Sequence, residues 1–130
     1  MFHRGVTLLE LLVVLVLVSL VAALALPAYR SQMVRVHRTD AMIALMELQN
    51  AEEKFYLRHN TYTADIPLTS NTNKYVLSIA VAADGQSFIA TATPTPEGGQ
   101  LADHECLAFS IDARGRRAVS GTRDARSCWK

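Results

Sequence analysis

The hydrophobic positions of this 130-residue chain fall into two zones. From Leu11 to Tyr29 the sequence has 19 residues without one charged side chain, whereas the residues that follow mix apolar and polar positions as in an ordinary globular domain. At about 1.5 Å per residue, a helix of this length covers roughly 28 Å, close to the hydrocarbon thickness of a bilayer. The pattern predicts one membrane-length helix followed by a head of about a hundred residues.

The helical pattern continues beyond the apolar run, from Arg30 to about Arg58. Apolar residues recur there mainly at intervals of three or four positions, as Val34, Ala41, Ala44, Leu45, Leu48, Ala51 and Phe55. Charged residues mostly occupy the other side, as Glu47, Glu52, Glu53 and Lys54. We therefore predict one helix of about 50 residues, apolar in its first half and amphipathic in its second half.

Alternating segments in the rest of the chain predict β-strands. They are 75–81, 87–93 and 106–112, with a short further segment at 117–121. The polar stretch 58–73 predicts a loop between helix and sheet, and the turn-forming stretch 94–99 separates the second and third strands. We expect an α+β fold in which an antiparallel sheet of three or four strands packs on the long helix.

One carboxylate, Glu10, lies at the start of the apolar run. A charged side chain at the centre of a bilayer helix costs roughly 2.5–3.5 kcal/mol, so the presence of Glu10 needs a functional explanation. A plain membrane anchor gives Glu10 none. A secretory signal peptide with the small-residue cleavage site 23–25 gives it none either. A third interpretation rests on the residues around Gly5.

The stretch RGVTLLEL resembles the prepilin signature of type IV pilins and pseudopilins. The shared features are a short basic leader ending in glycine, a hydrophobic residue, a threonine, and a glutamate as the fifth residue of the mature chain. The resemblance implies that a prepilin peptidase cleaves between Gly5 and Val6 and methylates the new amine of Val6. It divides the chain into a leader (1–5), a transmembrane or filament-core helix (6–29) and a periplasmic or extracellular head (30–130).

The resemblance also gives Glu10 a partner. The α-amino group that cleavage creates on Val6 is protonated at neutral pH. In a staggered array, Glu10 of an incoming subunit is expected to pair with Val6 of a subunit already assembled. Breaking one side of such a buried pair costs on the order of 3–5 kcal/mol, which would fix the axial register of the subunits.

Pro27 matches a proline found in many pilins. It cannot donate a hydrogen bond to the carbonyl of Ala23, so we expect the helix to bend or loosen there. Two residues depart from the family pattern. Val6 stands where most members have phenylalanine, and Ser19 falls where many have glycine.

The head resembles the PilE-type minor pilins of proteobacteria, in the segments 37–63, 75–81 and 91–100 and in the closing Cys-Trp pair. The chain has two cysteines, Cys106 and Cys128. Beyond a membrane-inserting N-terminus they are expected to meet an oxidising compartment, which favours one disulfide over two separate thiols. It would close a C-terminal loop and stabilise the head by roughly 3 kcal/mol.

The segment 112–130 carries six basic and two acidic residues. The basic residues are Arg114, Arg116, Arg117, Arg123, Arg126 and Lys130. Such a patch is suited to DNA phosphates; a solvated face, or pairing with acids of a neighbouring subunit, is the alternative. Arg30, Arg35 and Arg38 follow the apolar run. We expect them to meet lipid headgroups before assembly and acidic side chains after it.

The motifs that usually mark catalysis do not emerge from this sequence. His37, His59 and His104 are scattered, and the DHEC stretch at 103–106 includes a cysteine expected in the disulfide. We predict no enzymatic activity, cofactor or metal site.

The resemblance implies a structural, minor subunit of a type IV pilus of a Gram-negative bacterium, serving twitching, adhesion or DNA uptake. Its expected partners are other pilins through the N-terminal helix, the prepilin peptidase and the inner-membrane assembly platform. The chain is expected in the inner membrane first, with its head in the periplasm, and in the extracellular pilus later. A DNA-binding uptake pilin and a pseudopilin of type II secretion are the alternatives.

Overall fold

The computed structural model describes residues 5–68 and 73–130. Its first element is helix α1, Leu8–His59, which has 52 residues and confirms the predicted long helix. Thr7 caps the start of α1, because its Oγ1 accepts a hydrogen bond from the backbone N–H of Glu10 at 3.2 Å. A threonine in this position satisfies one of the N–H groups that the first helical turn leaves without an internal partner.

The chain divides into two compact units, Met1–Met33 and Val34–Lys130, which are described separately. In the first unit, the described residues up to Gln32 are all exposed, and α1 continues through Pro27. By its length and composition, α1 is a candidate membrane-spanning helix. An apolar surface this continuous requires a bilayer or other protein around it.

The second unit contains one antiparallel sheet in the order β1-β2-β3-β4. The strands are β1 Tyr75–Val81, β2 Phe88–Pro94, β3 Phe109–Asp112 and β4 Arg117–Val119. Ala90 at the middle of β2 faces Ile79 of β1 and Ile111 of β3, which fixes the register. A 3-10 helix, Gln100–Ala102, lies between β2 and β3, and a four-residue helix α2, Ala125–Cys128, follows β4.

Four strand boundaries differ from the sequence prediction. Two differences are small, since β2 begins at Phe88 rather than at 87 and β4 ends at Val119 rather than at 121. The third strand begins at Phe109 rather than Cys106, because Leu107 has a φ of 54° and donates its N–H to the Asp103 carbonyl in a turn. Pro94 ends β2 instead of opening the next turn. Thr95 donates its N–H to Lys74, so the Pro94 nitrogen points away from β1, beyond the end of the pairing between β2 and β3.

The core lies between the sheet and the part of α1 in this unit, as predicted. Its fully buried side chains include Leu45 from α1, Phe88 from β2, and Phe109 and Ile111 from β3. One side chain contradicts the predicted polar face of α1. Glu52 is 0% exposed, because it follows Leu45 and Leu48 on the same side of the helix.

Candidate functional site

The residues expected to be processed lie just before α1. Gly5, Val6 and Thr7 are not helical, and the space around Gly5 is open, since nothing lies within 4 Å of the position that a Cβ would take there. Val6 is 66% exposed. A peptide bond between Gly5 and Val6 is therefore free of helical hydrogen bonding, the state in which a protease can bind backbone.

Glu10 is exposed in the first turn of α1. A carboxylate there interacts favourably with the partial positive charge of the helix N-terminus. Thr7 and Glu10 have the spacing of a capping box, a local signal that the sequence reasoning passed over. Glu10 thus has a role in starting the helix that is compatible with a second role between subunits.

A disulfide joins Cys106 to Cys128, with an S–S distance of 2.03 Å, and confirms the predicted bridge. Both cysteines are buried. Next to the bridge, Trp129 donates its Nε1–H to the Ala118 carbonyl at 3.1 Å, and its ring meets that of Phe109 edge-on. The disulfide and the indole together hold the C-terminal segment against β3 and β4.

The basic residues of segment 112–130 do not form one set of free charges. Arg116 Nε lies 2.7 Å from Asp112 Oδ2, and Arg123 Nη1 lies 3.1 Å from Glu105 Oε2. The Arg117 guanidinium stands over the Trp129 ring, 5.0 Å from its centroid, in the geometry of a cation–π contact.

Two further basic residues of this segment, Arg114 and Arg126, are exposed and have no acidic partner among residues 5–68 and 73–130. The charge of Arg116, in contrast, is offset by Asp112, whose ionised form is favoured. Burial alone would raise the pKa of Asp112. Hydrogen bonds from the backbone N–H and the guanidinium of Arg116, and from the Arg114 N–H, outweigh burial and lower the pKa.

The structure brings together basic residues that lie far apart in the sequence. Arg35 and Arg38 of α1 and Arg123 and Lys130 of the C-terminal segment line a groove of about 280 Å³. We call it the basic groove. Met42 and Cys128 complete its lining together with Ser127. Sequence reasoning placed Arg35 and Arg38 near lipid and treated Arg123 separately, because nothing local indicates that the two segments meet.

Within the basic groove, Arg38 is already paired. It donates to both carboxylate oxygens of Asp103, at 2.7 and 2.6 Å, and to Glu105 at 3.3 Å. The hydrogen bond to Asp103 is the main reason why the pKa of Arg38 is raised, against the opposing effect of burial. Arg35 and Lys130 are exposed, and the described part of the chain gives neither an acidic partner.

The DHEC stretch serves the fold. Asp103 and Glu105 pair with Arg38, and Cys106 is in the disulfide. Within the described ranges, no three potential ligands among histidine, cysteine, aspartate and glutamate lie close enough together to hold a metal ion.

This architecture, a long apolar helix continuing into a four-stranded head with a C-terminal disulfide, is that of the type IV pilins. The family described as "Prokaryotic N-terminal methylation motif" matches residues 1–26. The family described as "Type IV minor pilin ComP, DNA uptake sequence receptor" matches residues 27–110, more than half of the chain. The chain therefore belongs to the type IV pilin family. Within it, the head carries the ComP-type minor pilin domain.

Individual relatives agree with this assignment. The fimbrial protein EcpC of Eikenella corrodens is 33% identical over 101 residues, which cover 74% of this chain and 65% of the relative. The type IV major pilin protein PilE1 of Neisseria gonorrhoeae is 32% identical over 86 residues, which cover 62% of this chain and 40% of the relative. The chain thus spans less than two thirds of the length of these curated relatives.

Solved structures show the same fold. A type IV pilin from Shewanella oneidensis superposes with a TM-score of 0.59 at 30% identity, over 75% of this chain and 98% of that one. The non-core minor pilin PilV of Neisseria meningitidis gives a TM-score of 0.54 at 22% identity, over 71% and 91% of the two chains, and is similar in fold alone.

Proposed function

We propose that this chain is a minor subunit of a type IV pilus whose head binds DNA. The observation that carries the proposal is the match of residues 27–110 to the family described as a minor pilin and DNA uptake sequence receptor. This match ends before the segment 112–130, so the choice of DNA-contacting residues rests on their charge and exposure. It does not rest on the family description.

Arg114 and Arg126 are the phosphate-contacting residues that we propose within segment 112–130. Both are exposed, and in the described part of the chain neither has an acidic partner whose ion pair DNA would have to break. Arg116 and Arg123 are less suited because carboxylates offset their charges. Contact of a guanidinium with a phosphate releases counterions condensed on the duplex. An unpaired guanidinium gains more from this contact than a paired one, because it gives up no carboxylate.

The test is DNA binding by the full chain in detergent, measured for double-stranded DNA over a series of salt concentrations. Arg114→Gln combined with Arg126→Gln is compared with Lys54→Gln combined with Arg58→Gln, a pair of exposed cations at the end of α1. If each arginine contacts one phosphate, the slope of log affinity against log salt falls by about 0.9 for each arginine removed. The control pair should leave the slope unchanged.

An equal slope for both variants would remove Arg114 and Arg126 from the proposed DNA site while leaving DNA binding in place. A wild-type chain that binds no DNA would overturn the receptor role and leave the role in the pilus untouched.

For assembly, we propose cleavage between Gly5 and Val6, methylation of Val6, and pairing of Glu10 with the amine of a neighbouring subunit. The open, non-helical backbone at Gly5 and the match of residues 1–26 to a methylation motif support the processing step. The exposed carboxylate near the helix N-terminus supports the pairing step. The mature chain then consists of the membrane or filament-core segment 6–29 and the head 30–130. It moves from the inner membrane into the pilus with the prepilin peptidase and assembly platform as partners.

Mass spectrometry of filaments sheared from the native cells tests both steps. We expect a small share of this chain beside the other pilins, beginning at methylated Val6. Glu10→Gln should be processed normally but lost from the filaments, whereas Glu47→Gln, at an exposed position on α1, should be retained. Dominance of the chain would contradict the minor role, and retention of Glu10→Gln would contradict the pairing.

A further inference from the structure

The basic groove contains two kinds of cation. Arg38 and Arg123 both pair with Glu105, whose Oε2 lies 3.3 Å from one guanidinium and 3.1 Å from the other. Arg35 and Lys130 form no ion pair with an acidic residue in the described ranges. The groove therefore combines two paired guanidinium groups with two unpaired cations, which leaves it electropositive.

The size and shape of the groove indicate a small anion. Its volume of about 280 Å³ is near the lower end of the range for small-molecule sites. A phosphate with a short polar substituent fits such a concave site. A DNA duplex presents its phosphates on a convex surface, which matches a concave groove of this size less well.

The position of the groove in the chain indicates where that anion comes from. Arg35 follows Tyr29, the last residue of the uncharged run, by six positions. Even fully extended, six residues reach at most roughly 20 Å, so a chain held in a bilayer by α1 keeps Arg35 close to the membrane surface. Clusters of lysine and arginine beside a membrane-spanning helix attract anionic lipids there.

We propose that the basic groove binds the phosphate of an anionic phospholipid headgroup while the chain is in the membrane. Arg35 and Lys130 supply charge-assisted hydrogen bonds to the phosphate, and the paired Arg38 and Arg123 supply the surrounding field. Extraction of the subunit into a filament then requires release of this lipid. The site is distinct from the DNA-contacting residues Arg114 and Arg126.

The test is native mass spectrometry of the full chain in detergent micelles, titrated with phosphatidylglycerol or with phosphatidylcholine. Arg35→Gln combined with Lys130→Gln is compared with Arg114→Gln combined with Arg126→Gln, which removes the same charge outside the groove. None of these four side chains makes a hydrogen bond or ion pair in the described ranges that folding would lose. We expect phosphatidylglycerol to bind about tenfold more weakly to the groove variant only, the loss typical of one charge-assisted hydrogen bond or more.

A third titration with soluble glycerol phosphate identifies the source of the anion. Weak binding of glycerol phosphate beside tight, groove-dependent binding of phosphatidylglycerol supports a lipid site. Equal binding of the two would assign the groove to a free phosphate and overturn the lipid. Equal loss in both variants would show attraction by net charge alone. A groove variant that loses DNA binding but keeps phosphatidylglycerol would overturn the proposal in favour of DNA.

Discussion

Arg38 and Asp103, 65 positions apart, form a two-pronged ion pair with N–O distances of 2.7 and 2.6 Å. The Asp103 side chain is 1% exposed and that of Arg38 12%. The Cys106 N–H donates to the same carboxylate at 3.4 Å. One salt bridge thus joins α1 to the segment that carries the disulfide, and its arginine also lines the basic groove.

Replacing Arg38 should therefore destabilise the head strongly. Arg38→Ala leaves the buried Asp103 carboxylate without its ion-pair partner, which costs about 3–5 kcal/mol of the free energy of unfolding in urea. Arg38→Lys keeps the charge but loses the forked geometry, so its stability should lie between those of the wild type and Arg38→Ala. Arg35→Ala, at an exposed position nearby on α1, should cost less than about 0.5 kcal/mol. Equal losses for the two alanine variants would contradict the structural role of the pair.

Glu52 should weaken the fold at neutral pH. Its Oε2 accepts the Thr63 N–H at 3.2 Å, but its Oε1 has no hydrogen-bond partner among the described residues. Burial raises the pKa of Glu52; the Thr63 hydrogen bond opposes this, and the charge of Glu53 adds to it. A raised folded-state pKa means that the contribution to stability is complete below the ordinary value of 4.5 and is lost as pH rises through the folded value.

Glu52→Gln should therefore be more stable than the wild type at neutral pH, by on the order of 1 kcal/mol. This advantage should shrink as pH falls, because the wild-type carboxyl then takes up its proton. Urea unfolding at a series of pH values measures the difference. Glu47→Gln, which changes an exposed carboxylate on the same helix, provides the baseline. A difference that does not change with pH would rule out the titration of Glu52 as its cause.

Tyr62 should lose its proton only at a higher pH than an ordinary tyrosine. Burial, followed by the hydrogen bond that its hydroxyl donates to Glu53 at 3.0 Å, raises the pKa of Tyr62 to about 12. Its contribution to stability should be complete below the ordinary value of 10.0 and lost as pH approaches 12. Tyr62→Phe should remove a step near pH 12 from the ultraviolet titration of the four tyrosines.

Glu53→Gln tests the two causes separately. It should lower the pKa of Tyr62 but leave it above 10.0, since burial remains. Tyr29→Phe, at an exposed tyrosine, should leave the late step in place. If the step survives Tyr62→Phe, another tyrosine is responsible for it.

Gly121 should tolerate no side chain. Its N–H donates to the Cys106 carbonyl at 3.0 Å, and a Cβ built there would collide with the backbone of Glu105. Because backbone cannot yield as a flexible side chain does, Gly121→Ala should cost about 1–3 kcal/mol in thermal or urea unfolding. Ser127→Ala, at an exposed residue of α2, is the control. An alanine variant as stable as this control would show that the two segments can move apart.

The sequence was sufficient for the long helix, the sheet and the disulfide because each depends on local periodicity or on a unique pair of cysteines. It failed at Glu52, where spacing relative to Leu45 and Leu48 indicated the core side but charge indicated solvent. Arg38 and Asp103 could not be paired in advance, since no periodicity relates residues on separate elements. The basic groove was missed for the same reason, because it exists only once the C-terminal segment lies beside α1.

The Cys106–Cys128 bridge also decides what one proteolytic cut can do. It joins residues 22 positions apart, and exposed arginines such as Arg114 and Arg126 lie inside the closed loop. A trypsin-like enzyme that cuts once there leaves two fragments still covalently joined. A nicked molecule would migrate as one band in non-reducing electrophoresis and as two after reduction. On a fibre proposed to stand outside the cell, the nicked subunit would keep its C-terminal segment.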